Sequence, residues 1–422
     1  MNATAAPKPV RRRWLRLAVR LALALVVLAL IVGWLLHPQR AGPFLLKRIG
    51  LALNLEITAR SFDYRLRGTP QLVLDEVVAR RPGDTPLLRA KRVFVSLPWR
   101  TLRTGGDDLT VRRIELDAPV LDLPALQRWL ATRPPSGPIQ IPKLTDGLRV
   151  RDGRIDNDDW RIDGLAIDLP TLHPEHSAQA RVRGRYLDAP ISIPADLSIT
   201  VAQPGGLLAG TPTQVTGRGQ LTLVETDGWR VPAQVVLSGP LRIGKDSALL
   251  QPAKLGIAAR HESGDTSTPF RLGLYGPMAF NNALWRFVPV TVVLAGEGAI
   301  PSAQARGSLS VGRSLTLHLD GELAAWPQAW PTLPAPLSAS KSSLPFALDY
   351  KGAPAFSDPA SLSLRRDATA LALQVRVPEI LTWLDTASTG SPLPPLAGKL
   401  TTPRIEFDGA TLEGVEIEMS DE

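Results

Sequence analysis

The sequence predicts a mainly β protein that carries an N-terminal membrane-spanning helix and a few short helices. The first indication is a period-two alternation of apolar and polar residues, which is typical of strands with one hydrated face. The second is that 34 glycines and 39 prolines punctuate these runs, as expected of many strands joined by turns. The third is one long uncharged apolar run near the N-terminus.

The net charge of +8 comes from the N-terminus alone. Residues 1–55 contain nine Lys or Arg residues and no acidic residue, and the rest of the chain carries 39 basic against 40 acidic residues. Nothing downstream therefore has the basic character that a nucleic-acid-binding protein needs, and we expect no nucleic acid partner. The absence of cysteine fits an exported protein without disulfides.

The apolar run has the features of a membrane anchor. Leu21–Leu36 contains no charged residue, and the run extends back to Leu17 if Arg20 snorkels towards water. Trp14 and Trp34 are 20 residues apart. On a helix this spacing places the two indoles at the two interfaces of a hydrocarbon layer about 30 Å thick.

We therefore predict a basic cytoplasmic segment at 1–16 and a transmembrane anchor at 17–36. A cleaved signal peptide is the rival interpretation, but Ala41 as the last residue before cleavage would leave Gln39 at the position that needs a small side chain. An uncleaved anchor is favoured, with the rest of the chain exported. The residues that would set this topology are Arg11, Arg12, Arg13, Trp14, Arg16 and Trp34.

Few helices are predicted beyond the anchor. Residues 37–54 form an amphipathic pattern, in which apolar residues surround Lys47 and Arg48, and this predicts a connector helix that lies on the outer leaflet or on the start of the fold. Two further short helices are predicted at Pro124–Thr132 and Pro378–Thr386.

Strands are predicted elsewhere, in an N-terminal β region over 55–200 and a continued sheet over 201–422. Prolines such as Pro119, Pro190 and Pro194 inside strand-like stretches indicate edges or bulges. The clearest alternating stretches are IELDAPVLDL (114–123), ARVRGRY (180–186), QLTLVE (220–225), SLTLHLDGEL (314–323), SLSLRR (361–366) and RIEFDG (404–409).

A diverged repeat links the two regions. IDGLAID at 162–168 matches LEGVEIE at 412–418 in the character of each residue, and each follows a strand that ends in Asp-Gly, at 152–153 and 408–409. The unit is interpreted as a strand, an Asp-Gly turn, an acid-Gly bulge and a second strand, because Asp-Gly tolerates the positive φ angles of tight turns.

The acidic stretch 147–170, GLRVRDGRIDNDDWRIDGLAIDLP, is interpreted either as a metal loop or as the polar turns and outer face of a hairpin. An EF-type loop needs oxygen ligands at positions 1, 3 and 5 and glycine at 6. Counting from Asp156 places Trp160 at position 5 and Arg161 at position 6, and counting from Asp152 gives no glycine after Asp156. The hairpin interpretation is therefore favoured.

Catalytic motifs are also missing from the sequence. His173 and His176 are three residues apart with a proline between them, which makes a weak metal pair. The sequence contains no nucleophile elbow, phosphate-binding loop or His-Glu-x-x-His motif. We expect no metal, no cofactor and no enzymatic activity.

The aliphatic residues of the strands are the candidate functional residues. Over 404–408 and 414–419 the apolar residues take one parity and the charged residues the other, and 147–151 repeats this division. Such strands have one apolar and one hydrated face. The candidate apolar surface comprises Ile114, Leu116, Leu148, Val150, Leu165, Ile167, Leu169, Ile405, Phe407, Val415 and Ile417.

Over residues 12–170 the chain resembles the AsmA family of inner-membrane-anchored proteins, which is related to TamB and to bridge-like lipid-transfer proteins built from β-groove repeats. The resemblance rests on the anchor, the amphipathic stretch that follows it, and the closing hairpin 404–419. It rests further on GTPQLVLDEVVARRPGDTPLLRAKRVFVSLPWRTL (68–102), VRRIELDAPVLDL (111–123) and GRIDNDDWRIDGLAIDL (153–169).

The resemblance implies a long, curved antiparallel β-sheet whose apolar concave face forms a groove. It also implies a single-pass protein of the bacterial inner membrane, with a cytoplasmic N-terminus and a periplasmic bulk, that supports outer-membrane lipid homeostasis. The partners implied are the membrane, a phospholipid or other acyl lipid, and envelope proteins.

Three hypotheses follow. The leading one is a non-enzymatic protein that shields acyl chains in an apolar groove, since each methylene kept from water contributes about 0.8 kcal/mol. The second is a periplasmic scaffold that binds outer-membrane protein precursors by edge pairing. The third is an anchored enzyme acting on glycan or lipid, which would require a carboxylate cluster in a closed pocket.

Overall fold

A computed structural model describes most of the chain after residue 53. The residues described are 46–47, 50, 54–104, 109–132, 141–225, 228–244, 247–281, 284–330, 333, 337, 343–354, 356–386, 396–407 and 410–419. Within them the chain is predominantly strand, in agreement with the mainly β prediction. The predicted anchor at 17–36 and the topology residues around it lie outside the described residues.

The first half of the sheet contains short strands and then longer hairpins. Its strands are β1 (Glu56–Thr58), β2 (Ser61–Arg65), β3 (Gln71–Arg80), β4 (Pro86–Ser96), β5 (Thr110–Val111), β6 (Arg113–Asp117), β7 (Val120–Asp122), β8 (Lys143–Leu144), β9 (Leu148–Asp156), β10 (Arg161–Leu169), β11 (Ala178–Asp188) and β12 (Ile191–Val201).

The second half continues as a meander. Its strands are β13 (Thr213–Glu225), β14 (Trp229–Ile243), β15 (Ser247–Ser263), β16 (Thr266–Asn281), β17 (Leu284–Gly296), β18 (Ala303–Val311), β19 (Leu315–Leu323), β20 (Leu344–Gly352), β21 (Ala360–Arg366), β22 (Thr369–Val375), β23 (Leu396–Phe407) and β24 (Ala410–Met419).

Twenty-two of these strands form one sheet. β1 and β2 share one edge of β3, and β6 and β7 share one edge of β4, so the strands occupy twenty successive positions. From β9 to β24 each strand pairs antiparallel with the next one in the chain, without a break between 200 and 350. At a spacing of about 4.8 Å, twenty positions extend for roughly 90 Å.

The prediction of a purely antiparallel sheet is wrong at one junction. β9 pairs parallel with β6 and β7, and β5 and β8 form a separate two-stranded parallel sheet. The physical reason is that the chain between β7 and β9 crosses over through a helix, and a crossover of this kind returns the next strand in the same direction.

Four short helices have bounds within the described residues: α1 (Trp99–Arg103), α2 (Leu123–Ala131), α3 (Pro204–Leu208) and α4 (Val377–Thr386). α2 and α4 match the two helices predicted at these places. α2 begins where the Asp122 carboxylate accepts a hydrogen bond of 2.7 Å from the Ala125 backbone N–H, with Pro124 in the first turn.

Of the predicted connector at 37–54, the structure describes Leu46, Lys47 and Gly50 as helical, and Asn54 as part of a turn. Leu46 is buried against Leu74 and Val77, so this residue packs on the start of the fold. Within the described part of the chain, no helix combines the length and the apolar character needed to cross a bilayer.

The predicted Asp-Gly turn at 152–153 is wrong. Asp152 and Gly153 lie inside β9, and the chain reverses after Asp156 instead. Asp152 has a φ of 50°, and Val150 and Gly153 on either side of this irregularity are both buried. The aspartate therefore marks a bulge that shifts the buried face by one residue.

The predicted acid-Gly bulge is confirmed at Asp163–Gly164. The register of β10 with β11 shifts between Asp163 and Ala166, and Gly164 has a φ of 61°. In the C-terminal copy, Gly414 has a φ of 65°, but the register of β23 with β24 passes it without a shift.

Packing is concentrated in separate buried clusters along the sheet. One buried cluster gathers Leu46, Leu74, Val77 and Ala90 near the start. Towards the other end, a larger cluster includes Leu323, Leu333, Leu337, Leu344, Leu364, Leu371, Leu373 and Leu400. A third, which centres on β15 and β17, contains Leu250, Ala253, Phe287, Val290, Ala305 and Leu319.

Candidate functional site

The structure places the seven N-terminal candidate residues on one face of the sheet. Residues that lie opposite each other on paired strands point to the same side. The register joins Ile114 to Leu148 and Leu116 to Val150 in β6 and β9. It then joins Leu148 to Leu169, Val150 to Ile167 and Gly153 to Leu165 in β9 and β10.

The four C-terminal candidates lie far from these seven. Val415 and Ile417 of β24 stand opposite Thr402 and Leu400, and Ile405 stands opposite Leu412. The backbone of Phe407 pairs with Ala410. Because β10 and β23 are thirteen sheet positions apart, about 60 Å at the usual strand spacing, the two groups belong to opposite ends of the ribbon.

The face that carries the seven N-terminal candidates continues through every strand to Val415 and Ile417 of β24, and we call it the apolar lining. Ile405 stands opposite Leu412, so its position lies on the other face of the sheet, and the prediction that it shares a face with Val415 and Ile417 is wrong. Sequence reasoning did not single out its central members, because glycines and prolines break the alternation in β13 to β17. Following the register across β11 to β16 assigns to the apolar lining Val182, Leu197, Ile199, Leu221, Leu223, Val235, Leu237, Leu255, Ile257, Leu272 and Leu274.

The apolar lining is half-buried over β10 to β13 and more deeply buried in parts of β15 to β23. Among the described side chains between Val150 and Ala233, Ala178 and Pro204 are the apolar ones that are buried. By contrast, Leu344 and Leu364 in the C-terminal part are 1 % and 0 % exposed. Within the described residues, the lining over β10 to β13 thus has no packed layer over it, although its side chains are aliphatic.

A row of prolines crosses the sheet beside this region. Register shifts occur in the pairings of β14 to β18, and each of β14, β15, β16 and β17 carries a proline there, namely Pro240, Pro252, Pro277 and Pro289. Proline lacks the N–H that a central strand would donate, so a bulge accommodates it.

Burial on the two sides of this row differs. On the apolar side Leu250, Ala253 and Val290 are 3 %, 0 % and 1 % exposed. On the other side Val288 is 52 % exposed. The side chains on the apolar side of the proline row therefore belong to a packed cluster, whereas Val288 on the other side is open to solvent.

The opposite face is polar and is held by cross-strand ion pairs. Arg181 of β11 binds the Asp196 carboxylate of β12 through two hydrogen bonds of 2.9 and 2.6 Å. This pairing lowers the pKa of Asp196 and raises the pKa of Arg181. On the neighbouring strands Arg149 pairs with Asp168 at 3.4 Å. Both pairs are exposed, so they contribute modestly to stability.

The acids of the quoted stretch 147–170 also pair with arginines. Asp156 lies 2.6 Å from Arg154, and Asp163 lies 3.0 Å from Arg161. Within the described part of the chain, no group of three or more potential ligands is placed to hold a metal ion. His173 and His176 stack with their ring centroids 4.2 Å apart, without a third ligand among the described residues.

Aromatic pairs stand where the apolar lining meets the rims of the sheet. Trp160 packs against Tyr186 with centroids 5.5 Å apart, and Trp229 stacks on His261 at 6.2 Å. Burial, assisted by the nearby Asp188 carboxylate, raises the pKa of Tyr186 to about 12. Tyr186 therefore stays neutral at physiological pH. Aromatic side chains with a polar tip suit a boundary between apolar and aqueous surroundings.

A shallow concavity of about 620 Å³ lies on the polar side of β13 to β17. Gln220, Gln234, Arg260 and Arg271 line it, with Glu297 at its margin.

Comparison of the chain with protein-family models, with curated proteins and with solved structures gives no match.

Proposed function

We propose that this protein is a non-enzymatic carrier that shields lipid acyl chains along its apolar lining. The single observation that carries the proposal is the half-buried, aliphatic stretch of that lining over β10 to β13, which no described residue covers with a packed layer. A soluble domain would normally bury such a face under a second layer. An acyl chain would complete the burial instead.

The energetic case rests on the hydrocarbon itself. Each methylene moved out of water contributes about 0.8 kcal/mol, so a sixteen-carbon chain contributes on the order of 12 kcal/mol. An apolar track of strands supplies this environment without any reacting group. The aliphatic side chains of the lining would do the work, and no cofactor is required.

The cellular setting is part of the same proposal. The basic segment at 1–16 and the apolar run at 17–36 support a single-pass protein of a bacterial inner membrane, with an AsmA-like groove in the periplasm that serves outer-membrane lipid homeostasis or assembly. The anchor would hold the track next to the bilayer from which a phospholipid enters.

The test compares two adjacent residues of β10. Ile167 belongs to the apolar lining, whereas Ala166 stands opposite Arg183 on the polar side. The full chain, extracted in detergent and washed free of bulk lipid, is analysed for retained phospholipid by mass spectrometry. We expect Ile167→Asp to reduce the amount of bound phospholipid at least about ten-fold, because a carboxylate among acyl chains is costly to desolvate.

The matched control is Ala166→Asp, which adds the same charge one residue away and faces an arginine. It should retain the lipid of the parent protein. Absence of phospholipid from the parent protein, or equal loss in both variants, would contradict the carrier proposal. Photo-crosslinking from Leu165 and Leu197, two other members of the lining, provides the second measurement.

One observation favours the alternative, a periplasmic scaffold for outer-membrane protein assembly. Among the described residues β24 pairs only with β23, so its other edge is available for strand addition. A stoichiometric β-rich protein that copurifies with the chain, in place of lipid, would support this alternative.

A further inference from the structure

The polar face of β13 to β17 carries a surface that acyl-chain shielding does not use. Directly opposed residues form a row across it, from Arg218 through Val236, Gly256 and Gly273 to Val293. Lys254 stands opposite Tyr275 in the next row. We define the outer patch as Arg218, Val236, Lys254, Arg271, Tyr275 and Val293.

The outer patch exposes apolar side chains around two glycines. Val236, Tyr275 and Val293 are 50 %, 51 % and 45 % exposed. Between them, a side chain built on Gly256 would meet no atom within 4 Å. The two glycines thus leave open space between the two valines and the tyrosine.

The outer patch is also cationic. Arg218, Lys254 and Arg271 are exposed, and none of them forms an ion pair with another described residue. The acid that this face carries in the described part of β13 to β17 is Glu262, which pairs with Arg230 at 2.5 Å. Positive charge therefore accumulates here, although the chain after residue 55 carries 39 basic and 40 acidic residues.

A concavity next to the patch has the right size and chemistry for a headgroup. It encloses about 620 Å³ and has Arg260 and Arg271 on its wall. Two guanidinium groups at an open concavity suit a phosphate, which arginine recognises through paired N–H donors.

We propose that the outer patch docks on the surface of a bilayer that contains anionic phospholipid. Cations near such a surface each raise the affinity by about five-fold. Tyrosine and aliphatic side chains partition into the interfacial layer, where their apolar parts leave water. The combination of cations without ion-pair partners among the described residues and exposed apolar groups fits the surface of an anionic bilayer.

This inference goes beyond acyl-chain shielding and does not depend on it, because the two surfaces lie on opposite faces of the sheet. A chain that carries no lipid could still dock, and a chain that does not dock could still carry lipid. Docking would orient the ribbon so that its apolar lining faces away from the bilayer surface.

The test uses the full chain inserted in neutral phosphatidylcholine nanodiscs, so that the apolar run at 17–36 is already accommodated. These discs are mixed with large vesicles of phosphatidylcholine, with or without about 30 % phosphatidylglycerol, and sedimented. We expect binding to the anionic vesicles that weakens steeply with added salt, and at least about a 25-fold loss of affinity in the Lys254→Glu, Arg271→Glu double variant.

The matched control is the Lys351→Glu, Arg365→Glu double variant, which makes the same charge change at exposed residues of β20 and β21 on the same face. Its affinity for the anionic vesicles should lie within about two-fold of that of the parent protein. Equal binding to neutral and anionic vesicles, or equal loss in both double variants, would overturn the proposal. The proposal would also be overturned if the parent protein did not bind vesicles and bound an acidic protein instead.

Circular dichroism shows whether the variants fold. If the charge reversal unfolds the sheet, the neutral Lys254→Ala, Arg271→Ala variant replaces it. That variant should still bind the anionic vesicles at least about ten-fold more weakly than the parent protein. Unchanged binding would overturn the docking proposal.

Discussion

At the scale of single residues, His318 of β19 is held between two carboxylates on the polar face. Its Nδ1 lies 2.6 Å from Asp349 and its Nε2 lies 3.2 Å from Asp320. The hydrogen bond to Asp349 is the main cause that raises the pKa of His318. The folded chain thus holds this proton more tightly than the unfolded chain. The resulting stabilisation is complete below the ordinary pKa of about 6.5 and is lost as pH rises through the raised value.

We expect Asp349→Asn to lower the pKa of His318, because the amide cannot compensate the imidazolium charge. The imidazole resonance followed by NMR between pH 5 and 9 measures this. Asp367→Asn, in the turn between β21 and β22, removes a carboxylate without touching the imidazole and is the control. A titration of His318 that is unchanged in Asp349→Asn would show that the β19–β20 contact does not form in solution.

At the scale of secondary-structure elements, strands with the same alternating pattern differ in how well their apolar face is packed. Leu364 of β21 is 0 % exposed and belongs to the C-terminal cluster. Leu197 of β12 lies on the same face but is half-buried. A large-to-small substitution destabilises most where the surroundings are packed tightly, because it leaves a cavity.

Leu364→Ala should therefore lower the free energy of unfolding by about 3–4 kcal/mol. In delipidated protein, Leu197→Ala should lower the free energy of unfolding by less than half as much. The Leu197 side chain is half-buried, so its truncation removes fewer packing contacts. Urea unfolding followed by circular dichroism compares the two. Similar losses would mean that β12 is covered by a packed layer, and the acyl-track proposal would lose its basis.

At the scale of the whole molecule, the sheet is a ladder in which each strand from β10 to β23 pairs with its two neighbours alone among the described strands. Such a quasi-one-dimensional arrangement has local stabilities rather than one global value. The three buried clusters contrast with the half-buried lining of β10 to β13. Stability is consequently expected to vary along the ribbon.

Amide hydrogen exchange read by mass spectrometry should show this variation in delipidated protein. Peptides from β19 to β22 should exchange at least about ten-fold more slowly than peptides from β10 to β13, since opening the centre exposes fewer packed side chains. Added phospholipid should slow exchange in β10 to β13 selectively. Uniform protection along the sheet would contradict the graded packing seen here.

Much of the fold could be predicted from local patterns. The helix at Leu123–Ala131 is evident from Asp122, Pro124 and the apolar spacing that follows. The common face of Ile114, Leu148 and Ile167 follows from period two within each strand, although only pairing shows that three different strands turn this face to the same side. The Asp152 bulge was mistaken for a turn because both conformations use positive φ.

By itself, the sequence determined that this chain is built mainly from strands with one apolar and one polar face, since alternation is a property of each strand alone. Only the tertiary structure decided that β9 joins β6 in parallel, that four prolines align across neighbouring strands, and that the outer patch gathers residues from five strands. It also decided where the apolar face is covered. Burial depends on what packs above a side chain, and that neighbour comes from a distant part of the chain or from another molecule.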